Sequence, residues 1–149
     1  MNIFIDDCFN KYFEKHPIKL IDVGASGGIQ SNWKKAERYL SLIGFEPDKR
    51  SFSELKKAAT AKKVYLDKAL YKDKEKIDFH FTRVKTASSI FAPRQGFLRQ
   101  FPESERFETQ DVLKVEADRL DSQLTERGIG DIDFIKLDTN GSELYILEG

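Results

Sequence analysis

The sequence predicts an α/β fold in which a mostly parallel sheet is flanked by helices. Short apolar runs at 18–23 and 42–45 are typical of strands buried on both faces, as in a parallel sheet. Each run is followed by apolar residues at helical spacing, so the order is strand, helix, strand, helix. A chain of 149 residues is long enough for one core of ordinary size and too short for two. We therefore expect a single domain over residues 1–149.

The first helices have recognisable starts. Ser31 or Asn32 is expected to cap the helix after the first strand, and Pro47 and Asp48 are expected to begin the next one. Residues 1–17 are expected to form a helical segment at the N-terminus. The predicted apolar sides of the two helices consist of Trp33, Ala36, Tyr39 and Leu40 in the first, and Phe52, Leu55 and Ala59 in the second.

The middle of the chain is less regular. A third strand is predicted at 64–66, and the strict alternation of 77–81 predicts an antiparallel or edge strand. Residues 83–111 show little periodicity, and a loop of that length usually serves as a lid or a binding loop. Ser88 and Ser89 within it are candidates to contact a ligand.

The C-terminal part predicts two further strands. Residues 112–128 contain a strand and a short helix that ends at Gly128, and another strand is predicted at 132–137. The last helix is expected to place Leu144 and Leu147 on its apolar side. Because the strands that would complete a doubly wound sheet do not follow, we expect the domain to be incomplete.

The composition favours a small-molecule partner. Lys plus Arg and Asp plus Glu number 25 each, so no excess of positive charge is available for nucleic acid or a membrane surface. The single cysteine and the two histidines lack the spacing of metal ligands, and no metal site is expected. Asp6 and Asp7 interrupt any signal-peptide-like run, and we expect a cytoplasmic location.

The loop Gly24–Gly28 supports two interpretations. It matches G-x-S-x-G, the turn that presents a nucleophilic serine in α/β-hydrolases, and it also matches a glycine-rich turn against which a ligand can bind. A hydrolase needs a histidine after Ser26, and only His80 follows, within an alternating strand. A nicotinamide-binding loop would need glycine at Ser26 and Ile29. The hydrolase remains a distant alternative.

Two acidic residues favour a ligand that contains a ribose. Asp22 and Glu46 lie at the ends of the first two strands, and the carboxyl ends of adjacent parallel strands line a ligand site. An acid about 20 residues past the glycine turn can accept both ribose hydroxyls. No basic residue lies between Asp22 and Ser31, so the loop would repel a pyrophosphate and attract a cation. S-adenosylmethionine carries a ribose, an ammonium and a sulfonium, and it therefore meets these requirements.

Three segments together resemble a known family. "IDVGASGG", "IGFEPD" and "IDFIKLDTNGSELYILEG" resemble the FkbM-type S-adenosylmethionine-dependent methyltransferases, and "KALYKD", "ASSI" and "RLDSQL" occur where that family has comparable segments. The resemblance spans Ile18–Gly149 and implies a Rossmann-like methyltransferase fold. The chain departs from the family pattern at Ser26, where Asn is common, and at Asn140, where Glu or Gln is usual.

The resemblance also implies a set of cofactor-binding residues. Glu46 would bind the ribose, and Pro47 would continue along the adenosine. Asp67 and Ala69 follow the third strand, where methyltransferase folds commonly meet the adenine. The residues implied around the methionine portion are Asp22, Gly24, Ala25, Ser26 and Gly28.

Methyl transfer to a hydroxyl needs an aligned acceptor and a group that accepts its proton. The charged candidates are Lys136, Asp138 and Glu143, and Asp138 is favoured because a carboxylate at a strand's carboxyl end usually faces a ligand. Glu143 could instead stabilise a helix N-terminus, and Lys136 could form a salt bridge. We expect O-methylation of a sugar or another small metabolite. The alternative is a domain that binds S-adenosylmethionine without catalysis.

Overall fold

The computed structural model describes residues 7–149, so residues 1–6 of the predicted N-terminal helical segment lie outside the described part. Two short 3₁₀ turns, Lys85–Ala87 and Ser104–Phe107, lie in the long segment that follows residue 82. No helix in the described range is long and apolar enough to cross a bilayer. The remaining elements are α1 (Asp7–Lys15), β1 (Ile18–Val23), a 3₁₀-helix (Ser31–Tyr39), β2 (Leu40–Phe45), α2 (Lys49–Lys57), β3 (Lys63–Leu66), β4 (Ala69–Leu70), β5 (Glu75–Thr82), α3 (Gln95–Leu98), β6 (Thr109–Asp118), α4 (Leu120–Glu126), β7 (Phe134–Leu137) and α5 (Glu143–Leu147).

Four parallel strands form the main sheet, in the order β3-β2-β1-β7. Val23 at the end of β1 is in register with Phe45 of β2 and with Leu137 of β7, and Phe45 is in register with Leu66 of β3. All four strands therefore end at one level, and the residues that follow them share one edge of the sheet. This arrangement confirms the predicted α/β fold with a parallel sheet.

A smaller sheet has the order β4-β6-β5. β5 pairs antiparallel with β6 and lies at the edge of this sheet, which confirms the antiparallel or edge strand predicted at 77–81. The segment predicted as a loop over 83–111 is less uniform than expected, because it contains α3 and both short turns, and because β6 already begins at Thr109.

The core lies on both faces of the parallel sheet. On one face, Ile21 and Val23 of β1 pack in a cluster that includes Leu120 of α4 and Ile146 of α5. On the other face, Leu20 packs with Ala36 of the 3₁₀-helix and with two leucines of β2. Because side chains alternate between the faces of a strand, Asp22 lies on the same face as Leu20.

Two predicted helices differ from expectation at their ends. The segment 31–39 is a 3₁₀-helix preceded by Gln30, which makes no side-chain cap hydrogen bond, so neither Ser31 nor Asn32 is the cap. α2 begins as predicted, because the Asp48 side chain accepts a hydrogen bond from the Arg50 N–H. It ends at Lys57, and Ala59 is therefore outside the helix and exposed.

The predicted apolar side of the last helix is wrong. Ile146 is 1% exposed within the core, whereas Leu144 and Leu147 are each 65% exposed. α5 has only five residues, so one side chain is sufficient to cover the sheet at this point. The two leucines do lie three positions apart, but the docking of α5 directs that side away from the sheet.

We predict that Ile146→Ala lowers the free energy of unfolding by roughly 2–5 kcal/mol, since it leaves a cavity in the core. Leu144→Ala is the matched control in the same helix, and a change of no more than about 0.5 kcal/mol is expected at an exposed site. Urea titration of both variants measures the difference. Equal losses from the two substitutions would contradict the placement of α5.

Candidate functional site

A crevice lies at the carboxyl edge of the parallel sheet. Its walls come from the loops after β1, β2 and β7, from the connection between β3 and β4, and from residues 85–90. Seven of the residues predicted from the sequence line this crevice: Gly24, Ser26, Glu46, Pro47, Ala69, Ser88 and Asp138. Because β1, β2 and β7 end at one level, Gly24, Glu46 and Asp138, which follow these strands, lie close together.

The glycine loop is fixed by backbone contacts on both sides. The N–H groups of Gly24 and Ala25 both donate to the Phe45 carbonyl, at 3.1 and 3.2 Å. Gly24 has a φ of +73°, and a Cβ at this position would lie 2.1 Å from the Asp138 carbonyl oxygen. Only glycine therefore allows the loops after β1 and β7 to approach so closely.

The Ser26 hydroxyl hydrogen-bonds to another serine. Its Oγ lies 2.8 Å from Ser51 Oγ of α2, and the pair joins the glycine loop to that helix. A nucleophilic serine is activated by a base, usually a histidine, within hydrogen-bond reach. The observed partner supplies no such base, and this geometry gives the serine-hydrolase interpretation no support.

Glu46 is a buried carboxyl that opens onto the crevice. Its side chain is 5% exposed, and Oε1 accepts a hydrogen bond of 2.8 Å from the Asp48 N–H. Burial raises the pKa of Glu46 to about 7, although N–H donors from Asp48 and Ser26 oppose the shift. The carboxyl can accept further hydrogen bonds, and a ligand that donates to it favours its ionised form.

Asp22 is paired with Lys136 beside the crevice. The two residues are directly in register on β1 and β7, and Lys136 Nζ lies 2.9 Å from Asp22 Oδ1. The ammonium also donates to the Gly24 carbonyl at 2.8 Å and lies 3.6 Å from Asp138 Oδ2. Burial raises the pKa of Asp22, and Lys136 acts in the opposite direction. Neither side chain lines the crevice, because both lie on the Leu20 face of the sheet.

The other charged candidates occupy different positions. The Asp138 side chain is 63% exposed and lies at the mouth of the crevice. Glu143 Oε1 accepts hydrogen bonds from the Thr139 N–H, the Thr139 hydroxyl and the Gly141 N–H, at 2.9, 3.1 and 3.3 Å. Burial would raise the pKa of Glu143, but these backbone donors outweigh it and leave the pKa below its usual range. Its carboxylate thus stabilises the loop after β7.

Three further predicted residues lie outside the crevice. Ala25 is part of the glycine loop and is fully buried. Gly28 lies near Leu55 of α2, on the far side of the same loop. Asp67 lines a neighbouring groove, which shares the lining residues Pro47 and Lys68 with the crevice.

Comparison with known families identifies the domain. A family model described as the methyltransferase FkbM domain matches residues 22–149. The chain belongs to the FkbM methyltransferase family. The resemblance inferred from the three motifs and its Rossmann-like methyltransferase fold are thereby confirmed. Comparisons with curated proteins and with solved structures found no match.

The crevice of the FkbM domain is also lined by residues that the motifs did not indicate. Lys85 and Thr86 line the crevice, but they lie in the segment without periodicity, and no motif included them. The signal beside them was "ASSI" at 87–90, and its Ser88 and Ile90 line the crevice as well. Arg50 contacts this segment, because its guanidinium lies 3.4 Å from Ser88 Oγ. It also donates to the Thr82 carbonyl at the end of β5, at 3.1 Å, while Asp48 holds it by a salt bridge.

We predict that Glu46→Gln stabilises the FkbM domain at alkaline pH. Since the pKa of Glu46 is raised from 4.5 to about 7, ionisation costs nothing below pH 4.5 and progressively destabilises the fold as the pH rises through 7. The variant should gain about 3 kcal/mol in the free energy of unfolding near pH 8 and almost nothing near pH 4. Denaturant titrations of the wild type and the variant between pH 4 and pH 8 measure this difference. A gain that does not depend on pH would show that burial of charge is not the cause.

We predict that Lys136→Met is strongly destabilising because it leaves Asp22 buried without its counter-ion. The expected loss in the free energy of unfolding is roughly 3–5 kcal/mol. The double variant with Asp22→Asn should be less destabilised than Lys136→Met alone, since no charge is then left unpaired. Thermal and urea unfolding of both variants and of Asp22→Asn completes the cycle. If the double variant is as unstable as Lys136→Met, the lysine acts mainly through the Gly24 carbonyl.

Proposed function

We propose that this domain is an S-adenosylmethionine-dependent methyltransferase that methylates a hydroxyl on a sugar or another small metabolite. The single observation that carries the proposal is the buried Glu46 carboxyl, which opens onto a crevice beside the glycine loop. Two carboxylate oxygens can accept both hydroxyls of a ribose, and this placement at the end of β2 matches that use. Membership of a methyltransferase family supports the same cofactor.

The other residues of the crevice suit the same ligand. Gly24 and Ser26 would border its methionine portion, and Pro47 and Ala69 its adenosine. The groove beyond Pro47, which Asp67 lines, is open to receive the adenine end. The glycine loop carries no lysine or arginine, so the loop itself suits a cationic group better than a pyrophosphate. When bound, the cofactor supplies an activated methyl group on a sulfonium.

Asp138 is the residue we assign to the acceptor's proton. The residue lines the crevice, and its side chain is largely exposed. A carboxylate at that position can accept the proton of a hydroxyl that enters from solvent. Lys136 and Glu143 would support it indirectly, the first through the Gly24 carbonyl and Asp22, the second through the loop that carries Asp138. We propose a small-molecule or glycan acceptor.

We predict that S-adenosylhomocysteine binds the wild-type domain and that Glu46→Gln weakens binding by at least about tenfold, the equivalent of one charge-assisted hydrogen bond. Wild-type affinity should rise between about pH 6 and pH 8, as the carboxyl ionises, while the affinity of the variant stays flat. Isothermal titration calorimetry provides both measurements.

Glu75→Gln, at an exposed position on β5, is the matched control and should bind like the wild type. The Glu46→Gln variant is expected to be the more stable protein at pH 8, so a loss of binding cannot be attributed to unfolding. Absence of binding by the wild-type domain, with either S-adenosylhomocysteine or S-adenosylmethionine, would refute the proposed cofactor.

A further inference from the structure

Asn140 joins the loop after β7 to a distant part of the chain. Its amide nitrogen Nδ2 donates to the carbonyls of Thr86 and Ser88, both at 3.0 Å. Asn140 has a φ of +56°, a left-handed conformation that asparagine adopts more readily than most residues. Asparagine therefore suits this position both by its amide donor and by its left-handed backbone conformation.

The segment 85–91, here called the strap, also holds Asn140 in return. Ser89 Oγ donates to the Asn140 carbonyl at 3.1 Å, and the Phe91 ring lies against Gly141. At its other side the strap is fixed to β5, because the His80 N–H donates to the Ser89 carbonyl at 2.8 Å. The strap is therefore held between β5 and the loop that carries Asp138.

The strap forms part of the crevice. Lys85, Thr86, Ser88 and Ile90 line it together with Asp138 and Asn140. Any change in the position of the strap relative to the loop after β7 changes the width of the opening beside the exposed Asp138 carboxylate.

We propose that Asn140 is a positioning residue that fixes the strap against the loop carrying Asp138 and so sets the wall of the crevice where an acceptor would enter. The inference rests on the proposed function only in assigning that entrance to the acceptor. The amide is essential to it: a carboxylate at this position would offer no donor and would face two carbonyl oxygens with a negative charge.

Hydrogen–deuterium exchange of the ligand-free domain tests the contact itself. The amides of Ala87, Ser88 and Ser89 donate to the carbonyls of Val84, Lys85 and His80, so their exchange reports on opening of the strap. Asn140→Asp keeps the size of the side chain and removes both donors, and Asn140→Gly keeps access to the left-handed conformation. Both should speed exchange in the strap by roughly fivefold or more. Gln100→Glu, which removes an exposed amide donor elsewhere, is the control and should leave exchange in the strap unchanged.

Binding of S-adenosylhomocysteine tests the positioning role. In the wild type it should slow exchange in the strap, whereas Asn140→Asp should retain its affinity within about threefold and lose most of that slowing. Strap exchange equal to wild type in both Asn140 variants would overturn the inference, as would a parallel loss of affinity and of melting temperature. If the wild-type domain binds no S-adenosylhomocysteine, the proposed function fails, and exchange in the free protein still decides whether Asn140 holds the strap.

Discussion

The parallel pairing of β1 with β2 and β7 is the constraint on which the site depends. Because Val23 is in register with both Phe45 and Leu137, the next residues, Gly24, Glu46 and Asp138, leave the sheet at one level. Backbone pairing alone brings these three residues together, and any sequence that kept this register would place the residues after the three strands side by side. The side chains then decide what the convergence can bind, and the absence of a side chain at Gly24 lets the loops after β1 and β7 approach closely.

Two buried acids in this region illustrate different solutions to the cost of desolvation. Asp22 has the Lys136 ammonium 2.9 Å away, which opposes the effect of burial, although burial still leaves the pKa of Asp22 raised. Glu46 accepts hydrogen bonds from backbone N–H groups, and its pKa of about 7 shows that these donors do not fully offset burial. What distinguishes the two acids is their surroundings, since Asp22 faces a fixed lysine whereas Glu46 lines the crevice, where a ligand can donate to its carboxylate. The fold is thus less stable near neutral pH than an uncharged Glu46 would make it, which is typical of binding sites.

The sequence was sufficient to predict what local patterns encode. Strand periodicity and the glycine turn identified β1 and β2, and the acid after each strand end pointed to the crevice, so Glu46 and Asp138 were found without a structure. The alternation of strand faces was not enough to place Asp22, because its role depends on Lys136, which lies 114 residues later and is brought into register only by the sheet. The side of α5 that is buried was also unpredictable, since a single turn offers too short a pattern.

The crevice therefore has walls of two kinds. Strand ends and a short glycine loop form the wall beside Glu46, and neighbouring residues in the sequence account for most of it. The wall formed by the strap depends on contacts between Asn140 and residues 52 and 54 positions earlier, in a segment with no periodic pattern. Loops of this kind change more readily than the strands that support them. The departure from the family pattern at Asn140 therefore lies in the wall formed by the strap and not in the strand ends beside Glu46.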